Sequence, residues 1–243
     1  MSRSTQQHRR RVVITGLGVV SPAGWSLESY WEGITSGRSA ISEVTRFDTS
    51  ELGVHTAGEV DITPFRDRIP PSTMTRPDYS IQLGLFAANE ALQDAGISEA
   101  ARDGLRVGAI LGSGLGSCDT LAGAYTSFVA RGIRAVRPTT IPRCMFNGIA
   151  SEASIALRLT GSHSVTAAAC ASASIAMGYA FDAIVNNRED VVLTGGCDSP
   201  LTQSIYVAWV NLRVLSAIAE PEKAMRPFDR DRAGFVLSEG AGM

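Results

Sequence analysis

Four short apolar runs most constrain what this chain can fold into: RVVITGLG at 11–18, RVGAILGSGLG at 106–116, SVTAAA at 164–169 and DVVLTGG at 190–196. They do not alternate apolar with polar residues, so they suit strands buried on both faces. Helical patterns lie between them. From Asp78 to Ala95, apolar Ile81, Leu85, Ala88 and Leu92 recur at i, i+4, i+7 and i+11, and Gly96 supplies the stop. Asn147 to Thr160 behaves likewise, with Gly161 after it. Strands alternating with helices predict an α/β fold with a mostly parallel sheet covered by helices. Residues 43–77 break the rhythm with Gly53, Gly58, Pro64, Pro70, Pro71 and Pro77, and read as a long excursion over the surface.

Composition removes several classes of function. The 243 residues are 44% hydrophobic and 19% charged, which is ordinary globular composition. A net charge of −2 gives no basic stripe for nucleic acid. The apolar stretch behind the N-terminal arginines, Val12 to Val20, is broken by Thr15, Gly16 and Gly18. Residues 1–10 therefore read as a flexible tail and the apolar stretch as a first strand, not as a signal peptide. No run reaches the ~18 apolar residues of a membrane span; the longest candidate, Val165 to Phe181, suits a buried helix. Cys118, Cys144, Cys170 and Cys197 form no CxxC pair and have no histidine at ligand spacing, so no metal site is expected. Scattered thiols without a leader predict a reducing, cytoplasmic setting.

Two glycine-rich segments invite nucleotide readings and fail them. Gly16 and Gly18 give GxG, but Ser21 stands where the third glycine of a dinucleotide fingerprint belongs. No acidic residue is expected to end a second strand about twenty residues on, as ribose binding requires, and a tight strand-to-helix turn is the simpler expectation. LGSGLGS at 111–117 lacks the Lys-Ser/Thr ending of a phosphate loop; its glycines let backbone pass close to something else, a substrate arm being one candidate.

Cys170 is the candidate nucleophile. With a strand over 164–169 and a helix over 171–186, its thiol stands at a helix N-terminus, where partial positive charge favours a thiolate. The same backbone N–H groups can hold an oxyanion when sulfur attacks a carbonyl. Ala167, Ala168, Ala169, Ala171 and Ser172 leave room for a sharp turn and a bulky acyl group. A hydrolase elbow would place glycines at 168 and 172, where this chain has Ala168 and Ser172. A buried structural cysteine remains the alternative on these grounds alone.

VTAAACASAS at 165–174 resembles the nucleophile segment of the β-ketoacyl–acyl-carrier-protein synthases of the synthase II type, in the thiolase-like superfamily. RRVVITGLGVVSPAG at 10–24 is similar to their first strand, and DVVLTGGCDSP at 190–200 to the strand after the nucleophile helix. LRVLS at 212–216 and MRPFDRDRAGFVLSEGAGM at 225–243 resemble a long signature of the group. The resemblance implies a thiolase-like fold and a decarboxylative Claisen condensation in fatty-acid or polyketide synthesis. Cys170 would hold the acyl group, and malonyl–acyl carrier protein would supply the extender. The phosphopantetheine arm of the carrier delivers substrate, so no cofactor bound by this chain is implied. It also implies a homodimer, or a heterodimer with a chain-length-factor-like subunit. By position, Trp209 stands where relatives place a Phe beside the nucleophile, and Leu121 where a side chain bounds the acyl tunnel. Thr139 and Thr140 replace a bulky pair near the dimer interface. An acyl transferase or thioesterase using acyl-Cys170, and a non-catalytic ketosynthase-like subunit, are the alternatives.

The chain has three histidines, His8, His55 and His163. A strand places His163 on the order of 20 Å from Cys170, whereas a base must come within about 3 Å or one water. The resemblance puts the two catalytic histidines in a second half of the domain. Residues 11–243 are thus expected to be an N-terminal half whose C-terminal half lies outside this chain.

Overall fold

The computed structural model describes residues 10–72 and 78–243. Most of the expected tail, His8 and Pro77 lie outside the described residues. Arg10, placed in the tail by sequence, instead donates to the Glu189 carbonyl at 3.1 Å and pairs with Asp190 at 3.2 Å.

The strands are β1 (Val19–Val20), β2 (Ser42–Glu43), β3 (Thr56–Ala57), β4 (Val107–Gly112), β5 (His163–Thr166), β6 (Val191–Asp198) and β7 (Gly240–Gly242). The helices are α1 (Leu27–Thr35), α2 (Tyr79–Asp94), α3 (Cys118–Arg131), α4 (Thr140–Cys144), α5 (Gly148–Ala156), α6 (Ser172–Val185), α7 (Gln203–Asn211) and α8 (Pro221–Ala224). Five strands form one sheet in the order β1-β7-β6-β4-β5. β4 is parallel to β5 and β6, and only β7 runs against its neighbours β6 and β1. The α/β expectation, with a mostly parallel sheet covered by helices, holds.

Pleating divides β4 between two helical layers. Val107, Ala109 and Leu111 point into the main core, with Ile81, Leu85 and Ala88 of α2 and Ile149 and Ala153 of α5. Ile110 points the other way and packs on Ala176 and Ala183 of α6. Gly112 and Gly196, which pair across β4 and β6, let the start of α6 settle onto the sheet. A Cβ on Gly112 would lie 2.3 Å from the Ser172 carbonyl carbon, and one on Gly196 would lie 2.9 Å from the Ala173 Cβ. Gly112→Ala is therefore expected to lower stability by about 1–3 kcal/mol, the usual range for overpacking. Urea unfolding measures the change; an unaltered midpoint would show that α6 does not rest there.

Several boundaries and one role differ from the sequence reading. The first strand is short, only Val19–Val20, and Val13 and Ile14 before it are exposed. Gly16 and Gly18 do not make the turn to α1. A Cβ on either would meet the carbonyl oxygens of Ala91 and Ala87, at 2.2 and 2.0 Å, so these glycines let the chain lie against α2. The turn itself is at Ser21–Gly24, closed by two backbone hydrogen bonds of 2.8 and 3.1 Å. The Asp78–Ala95 pattern is α2 with Asp78 and Ala95 as its caps. The Asn147–Thr160 pattern ends earlier, because Arg158 takes a left-handed φ of 51° just beyond α5.

The 43–77 excursion is more than a surface loop. Val54, Ala57, Val60, Ile62 and Phe65 are buried in it. Val54 and Ala57 join Leu201, Tyr206, Leu215 and Leu237 in a second core. The alternation of glycines and prolines concealed these apolar positions. The 225–243 signature closes this second core: Phe235 bridges to Leu215 and Ser238 to Gly58 before the chain enters the sheet as β7.

Candidate active site

The chain leaves β5 at Thr166, makes a tight turn, and begins α6 at Ser172, with Ala171 as its N-cap. Ala169 has φ 49°, a left-handed conformation costly for a residue with a Cβ. That residue immediately precedes Cys170, whose side chain is exposed. Strand and helix are each shorter than the 164–169 and 171–186 expected, but the hand-over falls at the expected cysteine.

Ser172 supports the turn. Its buried hydroxyl accepts from the Ala168 N–H at 2.8 Å, with the carbonyls of Ala169 and Ser113 at 2.7 and 3.2 Å as acceptors for its proton. Thr166 Oγ1 donates to the Ser172 carbonyl at 2.8 Å, and the Ser113 N–H donates to the Thr166 carbonyl at 3.1 Å. The end of β5, the start of α6 and the segment after β4 are thus one hydrogen-bonded unit.

Asp198, the last residue of β6, organises that segment. Its carboxylate accepts from Ser113 Oγ at 2.8 Å, Gly114 N at 2.9 Å and Leu115 N at 3.0 Å. Gly116 N donates in turn to Ser113 Oγ at 2.8 Å. Successive amides of this kind make an anion-binding nest, and here the anion is the protein's own carboxylate. Sequence reasoning missed Asp198 because its partners lie 83–85 residues away.

The other thiols have different surroundings. Cys197 lies within β6, not after it, and is fully in the core; burial first, then Asp198 and Asp78, push its pKa up. Cys118 begins α3, donates to the Ser199 carbonyl at 3.4 Å, and is pushed up to about 12 by burial and then by Asp78, Asp119 and Asp198. Cys144 ends α4, half-buried, and donates to the Ile141 carbonyl at 3.4 Å. Thiolates are the reactive form, so iodoacetamide near pH 8 is expected to label Cys170 first and to spare Cys118 and Cys197. Peptide mapping checks this; early labelling of Cys118 would contradict the assignment.

The pocket candidates fall on several elements. Leu121 is exposed on α3; Thr139 caps α4 and Thr140 begins it, and α3 and α4 pack on each other. Trp209, on α7, is half-buried against the second core, its ring 5.7 Å from that of Phe235 in an edge-on contact. A cleft of about 670 Å³ lies between α3, α7 and the 43–62 segment, bordered by Arg46, Tyr79, Asp119 and Ser199. Its Arg46 is held by buried Glu239, which also accepts from Val60 N at 2.7 Å and Ser199 Oγ at 2.6 Å. Arg46 lies 4.2 Å over the Tyr79 ring. The Tyr79 hydroxyl is pushed up to about 12, chiefly by burial. His55 meets Thr49 Oγ1 at 3.2 Å, and His163 is the first residue of β5, as its place seven residues before Cys170 led one to expect. Among the described residues no cluster of His, Cys, Asp or Glu could hold a metal ion. No helix among them is long and apolar enough to cross a membrane.

The chain is similar to several known proteins along almost all of its length. The 3-oxoacyl-acyl-carrier-protein synthase 2 of Staphylococcus aureus is 34% identical over 96% of this chain and 56% of its own length. The synthase 2 of Synechocystis is also 34% identical, over 97% and 57%. The chain therefore spans little more than half the length of these relatives. Among solved structures, the ishigamide ketosynthase/chain length factor superposes with a TM-score of 0.86 at 30% identity, covering 96% of this chain and 57% of the other. A ketosynthase solved with its type II PKS acyl-carrier protein and a hexaketide superposes at 0.81 with 25% identity, covering 96% and 57%. The model of the beta-ketoacyl synthase N-terminal domain matches residues 9–243, from the arginines before the first strand to the end of the glutamate-glycine signature. Every described residue lies inside that match, and the chain belongs to the beta-ketoacyl synthase family.

Proposed function

We propose that this chain is the nucleophile-bearing half of a condensing enzyme in fatty-acid or polyketide synthesis. The carrying observation is an exposed Cys170 on the strained turn between β5 and α6. In the first half-reaction its sulfur attacks the carbonyl of an acyl–carrier thioester and a new C–S bond forms. The carrier's thiol leaves with the cysteine's proton. In the second, a malonyl–carrier thioester loses carbon dioxide, and the resulting carbanion attacks the acyl-Cys170 carbonyl. The acyl C–S bond breaks, the cysteine is released, and the carrier holds a 3-oxoacyl chain two carbons longer. A sulfur nucleophile suits both steps, because it attacks readily as a thiolate and leaves well. Substrate arrives on the carrier's phosphopantetheine arm, so this chain's residues need hold no cofactor of their own.

The imidazoles that would assist decarboxylation lie in a second half outside this chain. His163 opens β5 and His55 bonds to Thr49. His55→Ala and His163→Ala are expected to leave the rate of Cys170 acylation within about twofold of the unaltered protein, since His55 is bonded to Thr49 and His163 opens the strand that precedes the turn, whereas a base must come within about 3 Å. A large loss in His163→Ala, measured by acyl transfer to the chain, would overturn this placement.

Leu121, Thr139 and Thr140 shape the acyl site from the α3–α4 side, and Trp209 limits it from α7. Trp209→Ala is expected to broaden the acyl lengths accepted, with some loss of stability because it also packs on Phe235. An unchanged length profile in the folded variant would remove Trp209 from the site.

Two surfaces fit the proposed partners. Among the described residues β5 is an edge strand of the sheet, and beside it α6 exposes Ile175, Met177, Tyr179 and Phe181. Apolar side chains next to an unpaired strand edge suit pairing with a second ketosynthase-type subunit. Val13, Ile14 and Leu17, exposed next to β1, suit the second half of the domain. Acyl carrier protein is the substrate-delivering partner.

A further inference from the structure

The contacts around Asp198 carry a further step, which rests on Cys170 being the acylated residue. The carboxylate sits at the end of β6, one strand away from the chain that leads to the cysteine, and is half-buried. All three of its hydrogen-bond donors belong to residues 113–115. That segment touches the nucleophile turn twice. The Ser113 carbonyl lies 3.2 Å from Ser172 Oγ, and a Cβ on Gly114 would be 3.4 Å from both the Ala169 carbonyl oxygen and Asp198 Oδ2. Gly114 therefore lies between the carboxylate and the residue that precedes Cys170. If the segment moves, the turn loses the surface it rests on.

We propose that Asp198 is a positioning residue for acyl transfer: by holding residues 113–116 against the Ala168–Ser172 turn, it fixes the direction from which Cys170 meets a thioester carbonyl. It touches neither substrate nor sulfur, and acts through Ser113, Gly114 and Ser172. Two acceptor oxygens are required because Oδ1 and Oδ2 each face a backbone N–H. An asparagine in either orientation would turn its NH2 toward one of those N–H groups, leaving donor facing donor. Glutamate keeps the charge but reaches one methylene further.

The test measures two reactions of the full protein at Cys170: acylation from an octanoyl–carrier thioester, and alkylation by iodoacetamide. Acylation demands an aligned approach to a carbonyl between two bulky partners, whereas a small alkylating agent demands only an accessible thiolate. Asp198→Asn is expected to slow acylation about 10- to 100-fold, the scale on which small misplacements act, while alkylation stays within about threefold. Asp198→Glu is expected to recover part of the lost acylation. Ser113→Ala, which removes one donor to the carboxylate and the acceptor of Gly116 N, provides a second route that spares the charge. Its effect should have the same direction, and the double variant should be no slower than Asp198→Asn alone, because the two residues act through one unit. Acylation unchanged in a folded Asp198→Asn protein would overturn the proposal. So would acylation and alkylation falling by the same factor, which would mean only that the thiol had become less accessible, or full additivity of the two substitutions. Failure of the unaltered protein to acquire acyl label at Cys170 would instead overturn the reading on which the proposal rests, and the proposal with it.

Discussion

Glu239→Ala is expected to destabilise the protein by about 3–5 kcal/mol, the usual consequence of removing one member of a buried ion pair. Glu239 is fully shielded from solvent and has four kinds of partner: the Arg46 guanidinium, the Val60 N–H, the Ser199 hydroxyl and, through Arg46, the Tyr79 ring. Removing the carboxylate strands a buried amide and hydroxyl and leaves Arg46 facing the Val60 carbonyl alone, at 2.8 Å. A loss of this size corresponds to a fall in Tm of roughly 6–20 °C for a chain this long. Differential scanning calorimetry measures it. Glu239→Gln, which keeps the shape and one acceptor, should lose less, and a Glu239→Ala protein melting within about 2 °C of the original would show that the network does not hold the 43–62 segment to the signature strand.

Cys170→Ala is expected to abolish covalent acyl loading altogether, whereas Cys118→Ala and Cys144→Ala retain it. The contrast comes from position. Cys170 is exposed at the start of α6, while Cys118 is partly buried among three carboxylates that keep its proton on, and Cys144 sits at the end of a short helix. The alanine variant loses only a solvent-facing sulfur, so its fold should be intact by circular dichroism. Acyl label persisting on a folded Cys170→Ala chain would assign the chemistry to another residue.

What the sequence revealed and what it hid separate along one physical line. Local signals were legible. Non-alternating Val and Ile runs became β4 and β6, the spacing of Ile81, Leu85, Ala88 and Leu92 became α2, and the small residues around Cys170 became a strained turn before a helix. Features made by distant partners were not. Gly112 and Gly196 look like loop glycines until β4 and β6 pair and α6 lands on them. Gly16 and Gly18 suggested a turn because nothing in their neighbourhood announces α2, more than sixty residues on. Arg46 and Glu239 are 193 residues apart and meet only in the fold. The apolar stretch from Val165 to Phe181, mostly alanine and serine, read as suiting a buried helix. One face of α6 is indeed packed at Ala176 and Ala180, but Tyr179 and Phe181 face outward. A sequence records that a face is apolar and not which molecule covers it.

In the proposed chemistry acyl-Cys170 is the species consumed in carbon–carbon bond formation. Its most direct measurement is tandem mass spectrometry of the protein in its full-length form, loaded from an octanoyl–carrier thioester and then given malonyl carrier. Octanoyl mass is expected on the peptide containing Cys170, and that mass should be lost on adding malonyl carrier. A 3-oxodecanoyl carrier should appear in equal amount. Acyl mass on a different residue, or loss of the label from Cys170 as free octanoic acid with no extended product, would contradict that chemistry.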